Sequence, residues 1–436
     1  MGLMTYALYL GTSRHAHAMN RAFAAKDQSA YVDMALRYIK DKSRLSDGAR
    51  GPLYTWMLSE VVSPALSKQA NFERARDFGV WLGVGLLWLL VGVFALFLPR
   101  WQASSLALAC AFPLITFYSS YVKAEAVAYV FGCAAFTFCC LALVRPKAWT
   151  GALVGASLGL LHLAKATALP ILGLYLLMAA VAVLGQGASN LRERDKRKAS
   201  ARVLIVGLLA PLLALVTFVC VTGVYLTHLK QTFGSYTYNV NTTFYIWYDS
   251  WAEVERGTRA YGDRVGWPKM APEDIPNLRW YLARHSMDDV LTRLTAGLRG
   301  GFRNTLDGFG VVRYELIYTL ALLTACFTQP RKALALAVRY WHVLLFALGY
   351  LLFCVLGAAW FYAIHNGPRF IMTIYMPLLS GCAVVLHRSF GRPAVVIFGR
   401  ETQLDQALLV LVMGTLAYDI PWIVFEGAFR YSQAGW

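Results

Sequence analysis

Charged residues are scarce in this sequence of 436 residues: Asp, Glu, Lys and Arg make up 15% of it, whereas 58% is hydrophobic. Ordinary soluble domains carry about 25% charged residues, so the composition argues against one. The net charge of +17 is spread over short clusters between apolar runs. That pattern is typical of membrane-protein loops and argues against a nucleic-acid partner. We therefore predict a polytopic membrane protein.

Other absences narrow the possibilities further. The long polar loop contains none of the eight cysteines, which argues against a disulfide framework or a zinc site. His15 and His17 form an H-x-H pair with no nearby third ligand, so we predict no metal site there. The sequence has neither a Gly-rich phosphate loop nor an internal repeat, and its start lacks the basic segment and cleavage site of a signal peptide.

Long apolar runs predict the fold. After a first run at 1–12, further runs predict membrane-spanning helices at about 79–98, 102–121, 124–144, 150–164, 167–185, 203–226, 314–328, 341–363, 369–386 and 404–426. A spanning helix needs roughly twenty residues. We therefore expect either that the first helix is incomplete or that the true start lies upstream. The predicted fold class is an all-α polytopic membrane protein with about 11 transmembrane helices, outer-face amphipathic helices and one long outer loop.

The distribution of cations predicts the orientation. Short cation-rich connections all fall on one side of the predicted bundle, at 100–101, 145–147, 186–202, 329–341 and 387–403. The positive-inside rule makes that side cytoplasmic. We therefore expect the functional site to face outside. The lack of a nuclear or retention signal, together with the compact loops, favours a bacterial plasma membrane over the endoplasmic reticulum. The predicted domains are an N-terminal transmembrane module at 1–226 with a catalytic outer loop at about 13–78, an outer loop at 227–313, and C-terminal transmembrane helices at 314–436.

A polar hairpin at 26–58 lies between membrane segments. Asp27 opens a predicted amphipathic helix over 27–40, and Arg50 is in the loop that follows it. A Pro-Leu-Tyr step ending at Tyr54 begins a second helix. Asp27 beside the Arg50 loop suggests a functional role, although a helix-capping role for Asp27 stays open.

Several other polar residues fall at the predicted outer ends of the apolar runs: Lys123, Glu125, Lys165, His365 and Arg369. Polar side chains are costly in hydrocarbon, so their positions are informative. If these helix ends converge on one cavity, its cations would suit an anionic group, such as a lipid phosphate, beside a carboxylate base. Simpler roles stay open as well. The lysines can extend to the interface, Glu125 can cap its helix, and Arg369 can be an interfacial anchor.

The outer loop opens with an aromatic segment, YTYNVNTTFYIWYDSW. Within it, Tyr245, Trp247 and Trp251 are candidate contacts for an acceptor or a sugar, although Trp and Tyr also gather at membrane interfaces. Farther along, 277–297 has a helical pattern, whereas 257–276 is rich in Gly and Pro and predicts turns.

Four stretches together resemble the glycosyltransferase C superfamily, in the branch of the protein O-mannosyltransferases and the lipid A aminoarabinose transferase. An acid opens an amphipathic helix (KDQSAYVDMA), and a base stands near a helix start (ARGPLYTWML). A Gly-rich span leads into Lys-Ala-Thr (GALVGASLGLLHLAKATALP), and an Arg-Phe step opens a late span (GPRFIMTIYMPLL). The resemblance covers most of the chain and rests on the order of these features.

The resemblance implies an inverting transferase that uses a polyprenyl-phosphate-linked sugar as donor substrate, with a glycan, lipid or protein acceptor. It implies that Asp27 is the catalytic base and that Arg50, Lys123 and Arg369 contact the donor phosphate. We count Asp33, Tyr54, Glu125, Lys165 and His365 as possible supporting residues. The family often has paired acids where this chain has Asp27 and Gln28, so a second-acid role is unassigned. We assign no metal ligand and leave dependence on a divalent metal open.

The residue types present also suit this chemistry. A single displacement needs one carboxylate to take the acceptor proton, and a lipid phosphate leaves more readily when cations stabilise its charge. The alternative is a secondary transporter or lipid flippase. Such proteins usually place ionisable residues near the membrane midplane and have repeated halves, whereas here the charges fall at helix ends.

Overall fold

A computed structural model describes residues 1–21, 23, 27–191, 197–306, 310–365, 367–390, 394–397 and 400–427. Within these ranges the chain is almost entirely helical, which confirms the predicted all-α polytopic class. The basic connection predicted at 186–202 lies partly outside the described residues, as does Arg392.

The helices are α1 (Gly2–Met19), α2 (Asp27–Lys40), α3 (Pro52–Ser59), α4 (Lys68–Ala95), α5 (Arg100–Cys110), α6 (Thr116–Tyr118), α7 (Glu125–Val144), α8 (Ala148–Ala164), α9 (Ala168–Leu191), α10 (Arg197–Phe233), α11 (Val240–Thr243), α12 (Trp251–Arg256), α13 (Leu278–Leu282), α14 (Met287–Leu306), α15 (Val311–Thr328), α16 (Pro330–Arg339), α17 (Trp341–Phe361), α18 (Tyr375–Val385) and α19 (Leu404–Phe425). Short 3₁₀ turns lie at Tyr245–Trp247, Pro272–Asp274 and Ile371–Ile374, and π turns at Ala111–Ile115 and Leu386–Phe390.

Nine segments of the described chain are long and apolar enough to cross a membrane: Lys68–Ala95, Arg100–Tyr118, Glu125–Val144, Ala168–Gly185, Gly207–Phe233, Val311–Thr328, Trp341–Phe361, Ile371–Phe390 and Leu404–Phe425. The sequence predicted about 11 such helices. The predicted span at 150–164 is the shorter helix α8, with 17 residues. The first apolar run is the start of α1, whose second half carries Arg14, His15 and His17.

Helix α8 is held against α10 by closely spaced glycines. A Cβ at Gly151 would lie 2.0 Å from the carbonyl oxygen of Ala210, and one at Gly155 would lie 2.3 Å from that of Ala214. Small residues four apart let two membrane helices approach backbone to backbone. This contact fixes the position of α8 along α10. It therefore also fixes Lys165, the residue that follows α8.

The bundle has two chemically different ends. Helix α7 runs from Glu125, beside Lys165 and Arg369, to Leu143, beside His342. We call the end with Asp27, Glu125, Lys165 and Arg369 the site end. The opposite end, which we call the cationic end, contains the connections with Arg100, Arg145, Lys147, Arg331, Lys332 and Arg388. There the Nε of Arg388 donates to the carbonyl oxygen of Phe97 at 2.8 Å, and Lys332 donates to that of Phe390 at 3.1 Å.

Two connections differ from the sequence predictions. The helix expected at 277–297 is two helices, α13 and α14, because Ser286 and Asp289 exchange hydrogen bonds of 2.8 and 3.2 Å that cap a new helix start. The loop expected at 387–403 contains an antiparallel hairpin of β1 (Ala394–Ile397) and β2 (Arg400–Gln403), in which Ala394 pairs with Gln403. The β-branched residues of β1 account for the strand.

Candidate functional site

Helix α2 brings Asp27 to the site end. The helix predicted over 27–40 is confirmed, and its apolar face buries Tyr31, Val32 and Ala35, with α3 as its principal neighbour. Fully burying a large apolar side chain contributes roughly 1.5–3 kcal/mol. This packing fixes the first turn of the helix, where Asp27 lies.

The carboxylate of Asp27 is held between two arginines. Its Oδ1 accepts a hydrogen bond from Nη2 of Arg50, and its Oδ2 accepts one from Nη1 of Arg369 at 3.0 Å. Arg50 belongs to the same hairpin, whereas Arg369 is 342 positions away and precedes the 3₁₀ turn that leads into α18. Each carboxylate oxygen therefore has a guanidinium of its own.

These two arginines set the protonation of Asp27. Burial by itself would raise the pKa of the carboxyl group, but Arg50 and Arg369 together hold that pKa well below its ordinary value of 3.8. The carboxylate is consequently ionised at neutral pH. While both arginines stay in place it is also a weak proton acceptor.

Arg50 is oriented by Asp47, which the sequence analysis did not select. Oδ1 of Asp47 accepts from the backbone N–H groups of Ala49 and Arg50, both at 3.0 Å. Oδ2 accepts from Nη1 of Arg50 at 2.6 Å and from Nη1 of Arg264 at 2.9 Å. An acid three residues before Arg50 in a tight loop was an available signal, whereas Arg264 lies in a turn-rich segment with no signal at all.

Glu125 supports the second arginine. Its Oε1 lies 3.6 Å from Nη1 of Arg369 and 3.7 Å from Nζ of Lys165, and its side chain is 8% exposed. Lys123 is also buried, and it lines one pocket together with Glu125 and Arg369. The structure thus brings together residues that the sequence analysis proposed from four separate stretches: Asp27, Arg50, Lys123, Glu125, Lys165 and Arg369.

Three buried nitrogen atoms here have no hydrogen-bond partner among the described residues: Nε of Arg369, Nζ of Lys165 and Nε2 of His365. Burial lowers the pKa of Lys165 while Glu125 opposes that shift, and burial with the nearby Arg369 lowers the pKa of His365 to about 4. Nε2 of neutral His365 donates in only one of its two tautomers. Nε of Arg369 and Nζ of Lys165 are donors, and buried donors normally have partners, so these two mark a place with a shortage of acceptors. An anion rich in oxygen atoms would supply them.

Gln28, the residue after Asp27, has a structural role. Gln28 is buried, and its Oε1 accepts from the backbone N–H of Val122 at 2.9 Å and from Nδ2 of Asn20 at 2.9 Å. Its Nε2 donates to Oδ1 of Asn20 at 2.9 Å. An ionised acid at this position could not make the last bond. Gln28 therefore ties α2 to the end of α1 and to the segment that contains Lys123.

Two glycines fix the loop that contains Arg50. A Cβ at Gly51 would lie 2.1 Å from the carbonyl oxygen of Leu163, so only glycine lets the loop touch the end of α8. Gly48 has a φ of +72°, and its carbonyl oxygen accepts from the backbone N–H of Val240 at 2.8 Å. The loop is thereby joined to both α8 and the outer loop.

The aromatic candidates of the outer loop pack mainly with one another and with neighbouring cations. Tyr245 is fully buried, its hydroxyl lies 3.4 Å from Nε of Arg264, and its ring is edge-on to that of Trp251 at 5.8 Å. Trp247 lies against Tyr281 at 6.2 Å between ring centres. Tyr245 is therefore linked to Asp27 through Arg264, Asp47 and Arg50, not by direct contact.

The remaining supporting candidates occupy different environments. Tyr54 is buried edge-on against Tyr31 at 5.2 Å, and His365 lies edge-on to Phe370 at 5.8 Å. Asp33 is half-buried on α2 and forms no ion pair with the described residues. In the described part of the chain no group of three or more His, Cys, Asp or Glu residues could hold a metal ion.

A second polar network holds the outer loop on α17. Asp249 accepts from Arg293 and from Nε2 of His285, both at 2.7 Å. Nη2 of Arg293 and Nε1 of Trp360 both donate to the carbonyl oxygen of Ile246, at 3.2 and 2.7 Å. The sequence analysis did not select these residues. They position the loop from which Arg264 reaches Asp47.

Comparisons with known proteins identify the fold. No family model and no curated protein matches the sequence. Among solved structures, the archaeal oligosaccharyltransferase AglB from Archaeoglobus fulgidus, in complex with an inhibitory peptide and a dolichol-phosphate, matches with a TM-score of 0.52 and 12% identity. The match covers 99% of this chain and 56% of AglB, so the chain spans about half the length of that protein.

A second similar structure is ArnT from Cupriavidus metallidurans bound to undecaprenyl phosphate. It matches over 87% of this chain and 76% of ArnT, with 13% identity and a TM-score of 0.32, which is too low to support a conclusion. The likeness to AglB extends over nearly the whole of this chain and shows that the two proteins share a fold.

Proposed function

We propose that this protein is an integral-membrane inverting glycosyltransferase that moves a sugar from a polyprenyl-phosphate donor to an acceptor hydroxyl at the outer face of the membrane. Asp27 is the catalytic base, and Arg50, Lys123 and Arg369 contact the donor phosphate. The observation that carries the proposal is the carboxylate of Asp27 held between Arg50 and Arg369, beside buried nitrogens that lack acceptors.

The charge of the cluster suits a lipid phosphate. Among the described residues it contains four carboxylates and five cations: Asp27, Asp47, Glu125 and Asp263 against Arg50, Lys123, Lys165, Arg264 and Arg369. One positive charge of this set is therefore unbalanced. A phosphodiester donor carries one negative charge, and the phosphate monoester released from it carries up to two, so the cluster favours the product of bond cleavage.

The proposed step is a single displacement. The acceptor oxygen forms a bond to the anomeric carbon of the sugar while the bond from that carbon to the phosphate oxygen breaks. The electron pair of the broken bond goes to the phosphate, and the hydroxyl proton goes to Asp27. Because the arginines and lysines stabilise the leaving phosphate, no second carboxylic acid is needed to protonate it.

The proposal extends to the donor, the acceptor and the setting. AglB was solved with a dolichol-phosphate, and its fold likeness supports a polyprenyl-phosphate donor here. The proposed acceptor is a hydroxyl on a protein, lipid or glycan. We further propose that the site end faces outward from a bacterial plasma membrane, with 1–226 and 314–436 as transmembrane modules around the outer loop 227–313.

Purified protein supplied with radiolabelled polyprenyl-phosphate sugars and a membrane extract as acceptor tests this function. Wild-type protein should release free polyprenyl phosphate, and Asp27→Asn should reduce turnover at least about 1,000-fold, because the base is lost. Asp41→Asn is the matched control, since it removes one exposed acid from the same hairpin and should turn over normally. Equal turnover by Asp27→Asn would remove Asp27 from the mechanism, and no turnover with any donor would favour a transporter or flippase.

A further inference from the structure

We propose that Asp27 and the donor phosphate compete for the same two arginines, so that donor binding releases Asp27 and thereby activates the base. This inference rests on the proposed function and adds its regulation. Without donor, the carboxylate takes the place of the phosphate between Arg50 and Arg369. The enzyme in that state is inhibited by its own catalytic base.

The pairing pattern shows which acid can leave. Arg50 is shared between Asp27 and Asp47, and Arg369 is shared between Asp27 and Glu125. Asp27 is thus the acid that both arginines share. Arg50 also has Asp47, and Arg369 also has Glu125. If Asp27 moves away, both guanidinium groups keep a partner that holds them in place.

Exposure points to the same acid. The side chain of Asp27 is 33% exposed, compared with 18% for Asp47 and 8% for Glu125. Asp27 is therefore the acid nearest to water, and it can exchange its arginines for solvent with the least rearrangement of its surroundings. It also belongs to the first turn of α2, whereas Asp47 is fixed by two backbone N–H groups.

The arginines also have bonding capacity that Asp27 does not use. Nε of Arg369 is buried and has no acceptor among the described residues, and Nζ of nearby Lys165 has none either. A phosphate carries more acceptor oxygens than a carboxylate and can bridge both guanidinium groups. It would therefore displace Asp27 by making the bonds that the carboxylate leaves unmade.

The consequence for catalysis is that donor binding must precede deprotonation of the acceptor. A carboxylate paired with two arginines accepts a proton poorly, whereas one released from them is a stronger base. The acceptor hydroxyl can then lose its proton only after the donor phosphate has engaged the arginines. Acceptor that arrives first meets a weak base, which protects the site from unproductive chemistry.

Binding of farnesyl phosphate, a short polyprenyl phosphate, to the detergent-solubilised full chain tests the competition without requiring turnover. Isothermal titration calorimetry should give a dissociation constant at least about tenfold lower for Asp27→Asn than for wild type, since the competing charge is gone. Asp27→Glu keeps that charge and should bind like wild type. Asp41→Asn, which removes an exposed charge from the same hairpin, should also bind like wild type.

The outcomes separate the two proposals. Wild-type binding with equal or weaker binding by Asp27→Asn would overturn the competition and leave the phosphate site standing. Absence of binding by every variant would overturn both. Because unpaired arginines can destabilise Asp27→Asn, its melting temperature is measured with and without farnesyl phosphate. The ligand should raise that temperature more in Asp27→Asn than in wild type.

Discussion

The two ends of the bundle are both rich in cations, but they use them differently. At the site end, Arg50 and Arg369 are largely buried and paired with acids. At the cationic end, Arg388 and Lys332 are exposed and donate to backbone carbonyl oxygens. Within the described residues, no ion pair to an acid involves Arg100, Arg145, Lys147, Arg331, Lys332 or Arg388.

The number of cations alone therefore does not mark a functional site. Exposed cations at helix ends keep their charge in water and need no acid to compensate it. Burying a charge costs several kcal/mol unless acids compensate it. The site end meets that cost with Asp27, Asp47 and Glu125, and it still retains nitrogen atoms without acceptors. That combination of buried cations, acids and missing acceptors distinguishes a binding site from an anchor.

Removing one arginine from each end should give the largest difference between the two ends. We expect Arg369→Ala to lower kcat/KM for polyprenyl-phosphate sugar at least about 100-fold, because it leaves Asp27 and Glu125 without a shared partner. Arg388→Ala removes the same charge from the cationic end and should stay within about threefold of wild type. Steady-state kinetics on both purified variants checks this. Similar losses in the two variants would contradict the distinction between the ends.

The backbone contact at Gly51 gives the next largest effect. We expect Gly51→Ala to destabilise the protein by about 2–3 kcal/mol, since its Cβ would meet the carbonyl oxygen of Leu163 at 2.1 Å. Gly85→Ala in α4 is the control, because a Cβ there meets nothing within 4 Å. Thermal unfolding in detergent measures both. A normal melting temperature for Gly51→Ala would show that the loop can move away from α8.

A smaller effect is expected from Asp47, and it tests whether this acid orients Arg50. We expect Asp47→Asn to weaken farnesyl phosphate binding about tenfold, because Arg50 loses the acid that orients it while Asp27 keeps its own bond. This direction is opposite to the one expected for Asp27→Asn. Calorimetry on the two variants, with Asp41→Asn as charge control, provides the comparison. Tighter binding by Asp47→Asn would mean that Asp47, too, competes with the phosphate.

The long hydrophobic runs predicted most of the helices. The polar residues at the ends of those runs predicted many of the residues that meet at the site end. Spans such as α7 and α17 are long and apolar, so their positions follow from composition. Glu125, Lys165 and Arg369 could be selected because each interrupts an apolar run near its end. Their mutual contacts could not be derived, because helix packing decides which ends meet.

Other features had weaker signals or none. Arg264 meets Asp47 from 217 positions away, and no periodicity connects the two. About 11 spans were predicted, and nine helices of the described chain are long and apolar enough to cross a membrane, since α8 is apolar but has only 17 residues. The close contact of α8 with α10 depends on glycines whose partners the sequence does not reveal. Gln28 was noted as a departure from paired acids, whereas its structural task depends on Asn20 and Val122.

The separation of Asp27 and Arg369 by 342 positions has a consequence for biosynthesis. The carboxylate enters the membrane with the first part of the chain, but its second guanidinium is translated only after most of the helices. The end of α19 then packs beside α1, where Arg14 donates to the carbonyl oxygen of Val424 at 3.4 Å. A nascent chain therefore carries an incomplete cluster until late in translation, because Asp27 has only one of its two guanidinium partners until then.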